Sequence, residues 1–555
     1  MSLSRIRSAS IGCLVLILVL AIAPVFTAGP KFYPDDPLQR EPESRDASGA
    51  KSSDIGLMYE IAMNLFAVPH LKPSNTRAHN VNTVDEVPDS SWFTNRIGRM
   101  PLRAEDLARG PNVDRPPTPE RWLIVAEKGR GAKPGFTAQD ANGDTWFVQF
   151  DDKDRHQAST GAVEVATKIF WALGYNQVQT FITTVDPRRV EFDPKAMVRR
   201  PSGERTPFVR KDLEDLLDRA QPNPDGTYRV VAGRRLTGEV LGGFRYSGTR
   251  PDDPNDVVPH EHRRELRALR VFGAWTNLTD LKAGNTLDTL VKENGRQVVK
   301  HYLQDVGSTF GTANGVHDWD IGWEHFYQGD TTAKRLLTFG FGLSPWQTVP
   351  YTEYPSIGKI EGDRFDPREW KPQTPTLAYV EMRADDAFWA ARLVAKFSND
   401  AIRAIVAKAR YSEPAAAAYI SDTLIKRRDK VLKAWLTGVN PIVEPRLSAG
   451  GTLTFENAAV GAGVATAPTA YVLTWSKFDN ATGTNVGQTQ EARVESTRGD
   501  APPSIVQGAE FVSVAIRSLH PDFPGWNAPV NVYFRKAADG WQPVGLDRQL
   551  PRVTE

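Results

Sequence analysis

The sequence predicts an α+β protein: a polar N-terminal arm, a body in which strands precede helices, and a closing all-β, sandwich-like domain. Three observations carry this. Short strand-like runs separated by glycine-bearing turns follow Arg121. Apolar residues recur at helical spacing in several later stretches. From about Pro441 the composition shifts to Thr, Val, Ala and Gly, with runs such as "TAYVLTW", "EFVSVAIRS" and "VNVYF" between turn-rich segments. At 555 residues and 40% hydrophobic content, the chain exceeds one ordinary domain and can fill several cores. Lys plus Arg (68) nearly cancels Asp plus Glu (67), for a formal charge of +1, so net charge gives no reason to expect a nucleic-acid partner.

Residues 1–28 read as a secretory signal peptide. Arg5 and Arg7 precede an apolar run from about Ile11 to Ala23, and small residues follow near Ala28. The run is about 13 residues, short against the roughly 20 that span a bilayer, so no membrane span is expected in the mature chain and export to a periplasmic or extracellular location is. Cys13, the single cysteine, lies within this segment, which leaves no intramolecular disulfide and a mature fold held by packing alone.

Residues 29–115 form the arm, rich in Pro, Asp, Arg and Ser, with one helical pattern at "DIGLMYEIAMNLF" (54–66). Trp92 and Phe93 in "DSSWFTNRIG" are expected to dock into the neighbouring domain. The stretch 121–151 reads as an antiparallel meander, with Gly129, Gly131 and Gly135 between its first two strands and a turn at Asn142-Gly143. "ASTGAVEVATKIFWALGYN" (158–176) sets Val165, Ile169 and Leu173 at helical spacing and stops at Gly174. "HEHRRELRALRVFGAWTN" (260–277) buries Leu266, Leu269, Phe272 and Trp275, its charges assigned to the opposite, solvated face. His260 and His262 look like a metal pair, but no third nearby histidine completes a site, and a solvated helix start is expected. Alternation on both sides of Glu293-Asn294-Gly295 marks a hairpin, and further helices are expected at 384–408 and 415–437.

Between that helix and that hairpin lies "TNLTDLKAGNTLDTL" (276–290), which sets Asp280, Lys282 and Asn285 within six positions. Read alone, it is a solvated turn with local capping bonds. Its order among the other elements changes the reading. A glycine-bearing strand pair, a third strand, a helix with Glu164, a long helix, "DLKAGN", a hairpin and then Asp305-Val306-Gly307 follow one another, and this succession resembles the protein-kinase-like superfamily. Asp280, Leu281, Lys282 and Asn285 match the catalytic-loop motif D-L-K-x-x-N in letter and spacing, and "DVG" resembles the metal-binding D-F-G. The closer likeness is to divergent groups: HipA-type kinases, spore-coat CotH kinases and secretory-pathway kinases. There is also similarity to exported bacterial proteins with "SWFTNR" and "DVGSTFG"-like stretches.

The resemblance covers about residues 116–440 and implies a two-lobed core, an N-lobe over 116–245 and a helical C-lobe over 246–440, before the β-domain of 441–555. It implies ATP and Mg²⁺ as cofactors and phosphoryl transfer to an unknown protein or small-molecule hydroxyl. Asp280 would orient that hydroxyl, Lys282 would neutralise charge on the transferred group, and Asn285 and Asp305 would hold the metal. Gly129, Gly131 and Gly135 would cover the phosphates, although they do not spell G-x-G-x-x-G. Glu164 fits the family's helix glutamate; the alternative is an exposed pair with Lys168 four residues on. Gln149 stands where the family has its ATP-clamping lysine, so either Lys153, Lys128 or Lys133 substitutes or catalysis is weakened. A non-catalytic cell-envelope binding or scaffold protein is the competing reading. A carbohydrate-active site using Asp318 and Asp320 has less to recommend it, since core or lid packing suits that aromatic loop better.

Overall fold

The computed structural model describes residues 29–129, 133–312, 322–339, 341, 345–352 and 354–551. The signal-peptide segment, Gly131, Asp318 and Asp320 lie outside the described residues. Among the described residues no helix is long and apolar enough to cross a membrane.

The fold is α+β with several separate sheets. The arm contributes α1 (Leu57–Phe66) and the short α2 (Ala104–Arg109). The meander follows as β1 (Trp122–Glu127), β2 (Gly135–Gln139) and β3 (Thr145–Phe150), all antiparallel. The expected helix is α3 (Ala158–Ala172), with Val165 and Ile169 fully buried. Three further strands, β4 (Thr180–Val185), β5 (Val190–Phe192) and β6 (Tyr228–Arg234), widen the meander into a six-stranded sheet of order β4-β6-β3-β2-β1-β5. One face of this sheet packs Trp122, Phe136, Trp146 and Phe150 into its own core.

After β7 (Glu239–Gly242), helix α4 (Arg264–Thr276) runs through the largest core, with Leu266, Leu269, Phe272 and Trp275 buried as the spacing predicts. Its charges are a correction to the sequence reading. Arg263, Arg264, Glu265 and Arg267 are wholly buried, because carboxylates from distant segments meet them. Arg264 donates to Asp85 Oδ1 (2.8 Å) and Asp386 Oδ1 (3.0 Å) and lies 3.3 Å from Asp385. Arg267 reaches Asp386 at 3.1 Å, and Arg263 reaches Glu41 of the arm at 3.1 Å. His260 is also not solvated. It is buried between Asp256 (2.7 Å) and the Arg245 carbonyl, and His262 packs against His79.

The hairpin forms as expected from β8 (Leu287–Glu293) and β9 (Arg296–Tyr302), with Asn294 and Gly295 both at positive φ, as a two-residue turn requires. Helices α5 (Ala384–Ala395), α6 (Asn399–Ala407) and α7 (Pro414–Trp435) complete the large core. The C-terminal region holds a three-stranded sheet of β10 (Ile442–Leu447), β11 (Thr452–Asn457) and β14 (Arg498–Asp500). A five-stranded sheet joins β12 (Ala470–Asp479), β13 (Thr484–Val494), β15 (Phe511–Leu519), β16 (Val530–Ala537) and β17 (Gly540–Arg548). Leu447, Leu453 and Phe455 of the first share a core with Leu473, Trp475, Val514 and Phe534 of the second.

The arm is strapped at both ends of its path. Phe32 packs among Phe478, Phe511, Tyr533 and Val544, and Lys31 pairs with Asp547 at 2.9 Å. Trp92 and Phe93 are buried as expected, Trp92 stacked on His301 of the hairpin with ring centroids 3.6 Å apart.

Candidate functional site

The loop that follows α4 is shaped by alternation. Leu281, Ala283 and Asn285 point into the protein, which leaves Asp280 and Lys282 half-exposed between them. Asn277 caps α4 in the left-handed conformation and turns the chain into this loop, a role asparagine tolerates better than most residues. Lys282 donates to Asp280 Oδ2 at 2.6 Å, and Asn285 Nδ2 donates to the Asp280 carbonyl at 2.8 Å. That second bond fixes the amide, so Asn285 Oδ1, which accepts no hydrogen bond from the described residues, is left as the free oxygen.

The hairpin then returns the chain to the same place. The Asp305 backbone N–H donates to the Asn285 carbonyl at 3.0 Å, which joins the two loops side by side. Asp305 Oδ1 accepts from the Gly307 N–H at 2.9 Å, and the exposed carboxylate keeps Oδ2 open. Gly307 lies against α3: a Cβ there would come within 3.0 Å of Val163 Cγ2. Asp280, Lys282, Asn285 and Asp305 are thus gathered on two adjacent loops backed by α3.

On the sheet side, Gln149 of β3 donates to Ser159 Oγ at the start of α3 (2.9 Å) and accepts from Lys128 Nζ (3.1 Å). Lys128 follows the last residue of β1. Burial pushes its ammonium below the usual lysine range, and the field of Asp305 pulls it back up. Of the three lysines proposed to replace a β3 cation, Lys128 is the one that reaches Gln149. Lys133 pairs with Asp152, and Lys153 is exposed. Gly135 sits opposite Gln149 across the β2–β3 ladder, where a Cβ would collide with the Val148 carbonyl at 2.4 Å. Gly129 has open space around it.

Glu164 is not brought to this place. One turn of α3 carries Ser159 and Val163 toward the loops, and the next residue points about 100° away. There Glu164 is buried with Lys168 at 2.5 Å and accepts from Thr180 Oγ1 at 2.9 Å, so the pair with Lys168 exists but is interior.

The arm supplies a contact that no periodicity in the chain marks. Glu60 of α1 accepts from the Ala283 N–H at 3.2 Å, and Leu57 lies over Gly284. Burial raises the Glu60 carboxyl above the ordinary range. Beside it the buried Tyr246 hydroxyl is held neutral by burial and by the charges of Glu60 and Asp280. Buried Glu60 and Asn64 on a helix whose Met58, Tyr59 and Phe66 are exposed invert the amphipathic pattern, which is why helical spacing does not reveal the contact.

Among the described residues no group of three His, Cys, Asp or Glu side chains could hold a metal. Asp305 and Asn285 offer one carboxylate and one amide, a sparse hard-oxygen set of the kind that suits a magnesium ion retaining waters and phosphate oxygens.

No protein-family model matches the chain, and no curated protein sequence does. Among solved structures, the chain is similar to the proinflammatory kinase CtkA of Helicobacter pylori at 12% identity and a TM-score of 0.31, over 57% of this chain and 95% of that one. It is similar to the Golgi casein kinase at 10% identity and a TM-score of 0.31, over 72% and 94% of the two chains. A further structure of that enzyme, with Mn and ADP bound to it, gives 10% identity and a TM-score of 0.29, over 72% and 96%.

Proposed function

We propose that the chain is an exported, kinase-like phosphotransferase that binds a magnesium–nucleotide complex and transfers a phosphoryl group to a hydroxyl acceptor. The observation that carries the reading is the pairing of the two loops. The backbone bond from Asp305 to Asn285 joins the loop that carries a carboxylate to the loop that carries an amide, with Asp280 and Lys282 five and three residues before Asn285. These are the parts phosphoryl transfer requires of a protein, which must position and neutralise more than react.

Asn285 Oδ1 and Asp305 Oδ2 would hold the magnesium. When bound, the ion neutralises the polyphosphate and fixes its orientation. Asp280 Oδ1 accepts no hydrogen bond from the described residues and is the oxygen that takes the proton of the acceptor hydroxyl. The acceptor oxygen then bonds to the γ-phosphorus, and the β–γ bridging oxygen leaves with the nucleoside diphosphate. Lys282 stays on Asp280 and faces the charge that builds on the transferred group. Lys128 supplies the phosphate-facing cation that Gln149 cannot, with Gln149 serving to hold the ammonium in place.

The test is nucleotide-dependent stabilisation. At ligand concentrations about 100 times the dissociation constant, ATP with magnesium should stabilise the chain by about 2.7 kcal/mol, and a chelator should abolish the effect. Asp280→Ala should keep the shift and lose transfer. Absence of any magnesium-dependent shift across ATP, GTP and CTP would sink this reading in favour of a non-catalytic envelope protein.

A further inference from the structure

A cavity lies on the other side of α3, about 230 Å³ in volume, lined among others by Arg109, Glu164, Lys168, Phe181, Lys408 and Arg410. Four cations from three separate segments converge on it, against one carboxylate. That carboxylate is already engaged: Glu164 Oε1 accepts from Lys168 and Oε2 from Thr180. Lys168 is the floor of the cavity, with 1% of its side chain exposed. Burial lowers its pKa, Glu164 opposes that, and Lys408 adds to it. Arg109 has Asp106 at 3.5 Å. The side chains of Lys408 and Arg410 make no hydrogen bond or ion pair with described residues. Arg410 sits at a φ of 51°, an uncommon conformation for arginine, and Arg229 grips the carbonyls of Ala409 and Arg410 behind it.

Cations at the end of α6 favour that helix's dipole, which accounts for Lys408 or Arg410 taken alone. It does not account for Arg109 from α2 and the buried Lys168 from α3 arriving at the same cavity. With Lys168 matched by Glu164 and Arg109 lying 3.5 Å from Asp106, the excess positive charge rests chiefly on Lys408 and Arg410, and like charges so gathered repel unless an anion joins them.

We propose that this cavity is a binding site for a compact phosphate-type anion, free or as a phosphomonoester, separate from the loops of Asp280 and Asp305. The inference stands on the cavity alone and does not depend on phosphoryl transfer. The anion would lie among Arg109, Lys168, Lys408 and Arg410, with Phe181 as an apolar wall for an organic group.

Calorimetric titration of the full chain, without magnesium, tests it. Pyrophosphate, orthophosphate and a sugar phosphomonoester are used separately, each against chloride at matched ionic strength. Saturable binding of at least one is expected, and the order among them separates a free anion from an ester. The double variant Lys408→Glu, Arg410→Glu changes two exposed side chains and should weaken that binding at least about 10-fold, the loss expected for one or more charge-assisted hydrogen bonds. Arg109→Glu should weaken it independently, whereas Asp305→Ala should leave it unchanged. Binding no stronger than chloride, equal binding by the double variant, or loss in Asp305→Ala overturns the proposal.

Discussion

Helix α4 and the loop that follows it hold charged residues within one continuous stretch, yet they treat charge in opposite ways. Arg263, Arg264 and Arg267 are fully buried, each matched by carboxylates brought from the arm or from α5. A few residues on, Asp280 has a single lysine partner among the described residues, and beyond the hairpin Asp305 accepts from the Gly307 N–H of its own loop. Asp85 shows how completely the first set is engaged. Burial would raise its carboxyl, but Arg264, Arg548 and Arg77 hold it down to about 2. The difference separates two uses of charge. Ions that hold a fold are consumed by one another, and ions that meet a ligand are kept incompletely satisfied at a surface.

The sharpest way to break the comparison is to remove a member of the buried set. Arg264→Met leaves Asp85, Asp385 and Asp386 without their shared guanidinium and should cost about 3–5 kcal/mol of stability, read from denaturant midpoints. Asp305→Ala should shift the same midpoint by less than about 0.5 kcal/mol while removing the roughly 2.7 kcal/mol of magnesium–nucleotide stabilisation at 100 times the dissociation constant. A large stability loss in this second variant would erase the distinction between the two regions. Lys128→Met should weaken nucleotide affinity by about 10-fold or more, since it deletes one charge-assisted bond, and Lys153→Met should have no such effect.

A pH-dependent effect concerns the least well matched carboxylate of the buried set. Arg263 is shared among Glu41, Glu265 and Asp256, so burial pushes Glu41 up to about 7, with Arg263 opposing and Glu265 and Glu43 assisting. A raised carboxyl binds its proton more tightly in the folded state than in the unfolded chain. Its contribution is therefore complete below about 4.5 and is lost as pH rises through about 7. The loss should be on the order of 1–3 kcal/mol. Glu41→Gln should remove this slope, so that wild type and variant have similar midpoints at pH 5 and the variant is the more stable at pH 8.

The contrast also explains what was legible in the sequence. The hairpin, α3 and the apolar stripe of α4 are written in local periodicity and turn residues, and the loop 280–285 is written in letters and spacing. The burial of Arg264 is not, because its partners Asp85, Asp385 and Asp386 lie more than a hundred residues away and helical spacing places charges outward by default. Lys128 could be named only as one of three candidates, since its reach to Gln149 depends on β1 and β3 both pairing with β2 in one sheet. Glu164 was misleading because helix position alone does not say which of two polar faces a residue occupies. Strands β4 and β6 join the meander across intervening segments, a pairing that no local pattern encodes.

The strapping of the arm sets a schedule for the whole molecule. Lys31 and Asp547 are 516 positions apart, and Phe32 finds its place only among Phe478, Phe511, Tyr533 and Val544. A ribosome delivers the arm first and its anchorage last, so the belt cannot be buckled until the final strands exist. The stretch around α1 is anchored sooner, by Glu41 on Arg263, by the Ser53 N–H on the Leu241 carbonyl and by Trp92 on His301. The cover that Glu60 and Leu57 place over the loop of Asp280 therefore needs only the chain through the hairpin, and the last strands add the clasp at Phe32.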